Sequence, residues 1–69
     1  MKDKLKKRID RILEDEGLLE DVWQVVDSYL LDDINQMQMY SRILDSLEGD
    51  MRTADIIAWE VSDFVNEAA

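Results

Sequence analysis

Two pairs of acids, Asp45 with Glu48 and Glu60 with Asp63, stand three residues apart. That spacing sets two carboxylates side by side on one face of a helix. Carboxylates so placed can hold a divalent cation, and metal-assisted phosphoryl chemistry is what such a site would perform. The spacing alone carries little weight, because 17 acids scattered over 69 residues would produce about four such pairs by chance. Other chemistries lack their residues altogether. The chain has no histidine and no cysteine, which removes imidazole acid–base work, the thiolate nucleophile and the structural zinc site. The two glycines, Gly17 and Gly49, stand too far apart in the chain to share a phosphate-cradling loop. Neither anchors a calcium loop: the residue six places on is Trp23 after Gly17 and Asp55 after Gly49, where a glutamate is required. A chain without catalysis, metal or cofactor is expected.

The elements that would position any site come from length and pattern. Sixty-nine residues make one domain, 1–69, and a chain of this size buries only about 60% of the surface that it exposes when unfolded. Small domains supplement such a core with disulfides, a metal or a second subunit. With no cysteine, self-association is favoured. No apolar run of about 18 residues is present to span a bilayer, and a cytoplasmic protein without membrane contact is expected.

Charge is divided unevenly along the chain. Residues 1–11 hold six of the eight bases against Asp3 and Asp10, a balance of +4. The remainder sets Arg42 and Arg52 against fifteen acids, a balance of −13, so that the whole chain stands at −9. A body of this sign repels nucleic acid and anionic lipid and attracts basic protein surfaces. The basic start opposes the helix macrodipole, which prefers acids at that end, so the first helix should be weak alone. Its bases are expected to answer carboxylates elsewhere in the molecule.

Apolar residues recur at helical spacing throughout and no stretch alternates as a strand would, so the fold class is all-α. The first helix is expected over about 3–15, closed by Gly17, and the last over about 51–67, with Asp50 as its N-cap. Between them one apolar stripe runs from Leu18 to Leu47 and keeps its direction past Asp32 and Asp33. This favours a single helix over about 18–47, some 45 Å long. The competing reading breaks the helix at Asp32–Asp33, with Asp33 and Gln36 as a capping box, and gives four helices.

An unbroken central helix has a wider apolar arc than two short helices can cover. A two-fold homodimer with antiparallel long helices is therefore expected, its interface formed by Trp23, Val26, Leu30, Asp33, Met37, Tyr40 and Leu44. Asp33 then sits in the seam as a register device; if the helix breaks, it is a solvated cap. Ile56 and Trp59 on the last helix and Leu31 and Met39 on the central one lie off their stripes. Tryptophan is enriched at binding hot spots, so these four are the candidate site for a protein partner, with packing of Trp59 under the first helix or in the dimer as its alternative. The expected function is that of a small acidic interaction or regulatory protein. A rival reading is an acidic decoy that imitates nucleic-acid charge with Glu20, Asp21, Asp27, Asp45, Asp55, Glu60 and Asp63 and so inhibits a DNA- or RNA-binding protein.

Overall fold

The computed structural model describes residues 2–68. Four helices follow one another: α1 (Lys2–Ile12), α2 (Glu16–Leu30), α3 (Gln36–Ser46) and α4 (Met51–Ala68). Connections of three to five residues reverse the chain each time, and α1 packs back against α4, so the helices close into a ring of four neighbouring pairs. The longest dimension is 31 Å and the radius of gyration 10.8 Å, too short to contain a 45 Å helix.

The central helix is broken, and the three-helix arrangement gives way to four. Two local devices make the break. At the end of α2, Asp32 adopts φ +63°; its amide donates to the Tyr29 carbonyl at 3.1 Å and that of Asp33 to the Ser28 carbonyl at 2.9 Å. This is the double closure of a helix end through a left-handed residue. At the start of α3, Asn35 Oδ1 accepts the Gln38 amide at 2.8 Å and Gln38 Oε1 accepts the Asn35 amide at 2.9 Å, a complete capping box. The box thus lies two residues beyond the Asp33–Gln36 pair expected from sequence. Asp33 is exposed and does not cap a helix. Burying its carboxylate in an apolar arc would cost several kcal/mol, and the break avoids that.

The break also resets the phase of α3. On a continuous helix, Met37, Tyr40 and Leu44 would point inward. Met39 and Ile43 do so instead, both fully buried, a rotation of about one residue step, or ~100°. Ile34 and Met39 occupy the positions just before the cap and four residues inside it, where apolar side chains staple a helix start to the core.

The other boundaries follow from similar chemistry. Gly17 does not close α1; it lies inside the first turn of α2 without a positive φ, and its amide donates to Asp15 Oδ1 at 2.8 Å. Asp15 caps α2, so the turn 13–15 needs no left-handed residue. α3 ends through Glu48 at φ +55° followed by Gly49 at +89°, with the Gly49 amide donating to the Leu44 carbonyl at 2.9 Å. Asp50 accepts the Thr53 amide at 3.2 Å and the Thr53 hydroxyl at 2.7 Å, which caps α4 as expected.

α1 is held by its apolar side and its charges together. Leu5 and Ile9 are fully buried. Lys2 pairs with Asp27 at 3.0 Å and Lys6 with Glu20 at 3.5 Å on α2; Arg8 reaches Glu60 at 4.0 Å and Glu67 at 3.5 Å on α4. Three of the six bases of this segment, Lys2, Lys6 and Arg8, thus answer acids of the body. Half-exposed pairs contribute about 0.2–1 kcal/mol each, so burial carries most of the attachment. The core is completed by Leu13, Val22, Val26, Ile34, Met39, Ile43, Ala54, Ile57 and Val61.

Candidate functional site

The outer surface is ordered by which neighbour each flank of α4 meets. On one flank, the Tyr40 hydroxyl of α3 donates to Asp55 Oδ1 at 2.7 Å. On the other, Arg8 of α1 reaches Glu60 and Glu67. Between these flanks, directly away from the buried Ile57 and Val61, stands Trp59, 71% exposed. Trp59 therefore does not pack under α1.

α3 and α4 are joined by four residues, 47–50, and run antiparallel. The Tyr40–Asp55 bond sets their register. One turn back along α3 is Met37 and one turn on along α4 is Trp59; in the other direction Leu44 comes level with Met51. Met37 is 82% exposed and Met51 62%, so an apolar strip borders this helix pair with a single hydrogen bond across its middle. That bond, reinforced by burial and by the nearby Asp55 carboxylate, raises the Tyr40 phenol above its ordinary value.

The expected site residues divide as follows. Leu31, 58% exposed, closes α2 at its C-cap, and Ile56 is 38% exposed beside Trp59. Met39 is a correction: it is fully buried, because the new phase of α3 turns it inward, and it cannot meet a partner. Val26 likewise belongs to the chain's own core and is not available to a second subunit. Trp23 and Leu30 are half-buried against that core, and Lys6 Nζ lies 5.9 Å from the centre of the Trp23 ring. Asp33 is exposed, while Tyr40 and Leu44 are half-buried on the α4 side of α3. The antiparallel pairing of two long central helices has no such helix to act on. Met51 was not among the expected residues, since it sits in the first turn of its helix, where the stripe has not yet declared a direction.

Of the acids counted toward a decoy surface, Glu20, Asp27 and Glu60 face bases of α1 and Asp55 accepts the Tyr40 hydroxyl. Asp45 and Glu48 do not form a pair on one helix face, since Glu48 lies past the end of α3. Among the described residues, no three acids converge as a metal-holding group, and no helix is long and apolar enough to cross a membrane. A depression between the turns 13–15 and 47–50 has a floor that includes Leu18 and Leu47. Its rim acids Asp15 and Asp50 are already engaged as caps. Hydrogen bonds from the Thr53 hydroxyl and amide hold the Asp50 carboxyl below the usual carboxylate range.

Fold and surface define an all-α four-helix bundle with an apolar strip left on its outside. No protein-family model, curated protein or solved structure matches the chain.

Proposed function

We propose that this chain is a small acidic interaction protein, homodimeric and without catalysis of its own, that works by binding a protein partner. The observation that carries the reading is the strip beside Tyr40: Met37 and Met51 are largely exposed although a closed core is available to the chain. Exposed methionines suit a docking surface, because an unbranched thioether adapts to the side chains laid on it. Asp55, which accepts the Tyr40 hydroxyl, sets a carboxylate at the middle of the strip. A partner helix with an apolar face and a basic margin fits this chemistry, and the net charge of −9 draws such a partner in from a distance. The decoy reading has less to draw on, since four of its seven acids are engaged within the chain.

Capture from the native cell with the wild type and a Met37→Glu/Met51→Glu variant tests the proposal. The expected result is a protein retained by the first and lost by the second, at equal helicity and melting temperature. A bound fraction that is identical for both, or that is displaced by DNA, defeats it.

A further inference from the structure

The outward stripe of α4 reads Arg52, Ile56, Trp59, Asp63, in steps of four, three and four residues. Such steps keep the four side chains on one side of the helix. The stripe is apolar at its centre, carries opposite charges at its two ends, and has the same spacing read from either end. Among the described residues, neither Arg52 nor Asp63 forms an ion pair within the chain, Asp63 standing at the edge of a shallow depression that Arg8 and Arg11 also line.

These features together specify a partner. Consider an identical helix laid antiparallel on this one, about a two-fold axis passing between residues 57 and 58. Trp59 then meets Ile56 of the second copy, Arg52 meets Asp63 of the second copy, and symmetry repeats both contacts. A uniformly basic or uniformly acidic surface would satisfy one end of the stripe and oppose the other. We propose that a second copy of this chain docks on this stripe, α4 against α4 and antiparallel. The inference rests on the reading that the chain is homodimeric and names the surface and register.

The flanks are compatible with the pairing. Asp55 and Glu60 of the second copy come level across the axis, yet Asp55 lies on the α3 flank and Glu60 on the α1 flank, each facing a group of its own chain. The same two-fold leaves both α3 helices on one side of the dimer. The two strips of Met37 and Met51 would therefore stand side by side, doubling the surface offered to a partner.

Sedimentation equilibrium of the full chain, from about 1 µM to 1 mM, tests the assignment. Wild type is expected to pass from 8.1 kDa to twice that mass. Arg52→Asp and Asp63→Arg each set like charges against one another twice, and each alone should weaken the dimer at least tenfold with the helical circular dichroism unchanged. Mixed in equal amounts, the two variants should associate as tightly as wild type, and the double variant Arg52→Asp/Asp63→Arg should recover as well. A wild type that stays at 8.1 kDa overturns both this surface and the homodimer. A wild-type dimer indifferent to the single variants, or a mixture no tighter than its components, overturns the surface and leaves the homodimer standing.

Discussion

The Tyr40 hydroxyl and Asp55 Oδ1 lie 2.7 Å apart across the α3–α4 pair. This bond joins two outward edges rather than two core faces, and it sets which residues of the two helices come level on the apolar strip. Tyr40→Phe should lower the melting temperature at neutral pH. The pH dependence has a defined sign. Because the folded phenol is held above its ordinary value of about 10, the native state keeps its proton where the unfolded chain releases it. Stability from this group is complete below pH ~10 and is lost as pH rises through the folded value. The gap between wild type and Tyr40→Phe should therefore close in strong alkali; a constant gap in melting temperature from pH 8 to 11 would contradict it.

Asp50 behaves in the opposite sense. Its carboxyl is depressed by the Thr53 hydroxyl and amide, so its stabilisation of α4 is present above the unfolded value, near 4, and is lost as pH falls through the folded one. Asp50→Ala should melt earlier than wild type at pH 7 and converge with it in acid. Thermal melts of both proteins between pH 7 and pH 2 provide the check.

The phase of α3 can be read from two neighbouring methionines. Met39 is fully buried and Met37 82% exposed. Met39→Ala should cost about 2–5 kcal/mol, whereas Met37→Ala should stay within about 0.5 kcal/mol of wild type. Urea unfolding separates them, and a reversed order would mean that the stripe continues unbroken from α2.

Asn35→Ala removes half of the capping box and should destabilise by about 1 kcal/mol. Asp33→Leu, which would strengthen an apolar seam if the central helix were continuous, should instead leave the melting temperature unraised, because Asp33 is exposed.

Arg8 joins α1 to α4 through Glu60 and Glu67. Arg8→Ala should destabilise by no more than about 1 kcal/mol. The difference should narrow at 1 M salt, where the Debye length falls to about 3 Å. An undiminished difference would assign the loss to packing of the arginine stem.

Much of this molecule is determined locally. The amphipathic spacing of Leu5 and Ile9, and of Ala54, Ile57 and Val61, is enough to define α1 and α4. Asp50 and Gly49 mark a boundary by their own backbone chemistry, and six bases in eleven residues require acids nearby. The outward placing of Ile56 and Trp59 is legible too, since both sit inside one uninterrupted helix whose phase their neighbours define. Residues 31–35 are different. Periodicity carries direction along a helix but not across a break, where a left-handed Asp32 and the Asn35–Gln38 box re-aim everything that follows. Only the packed bundle decides that Met39 turns in, that Met37 turns out and that Asp33 meets water. The orientation of α3 is the one that buries Ile34, Met39 and Ile43 together against the other helices, and that choice is made by contacts between segments distant in the chain.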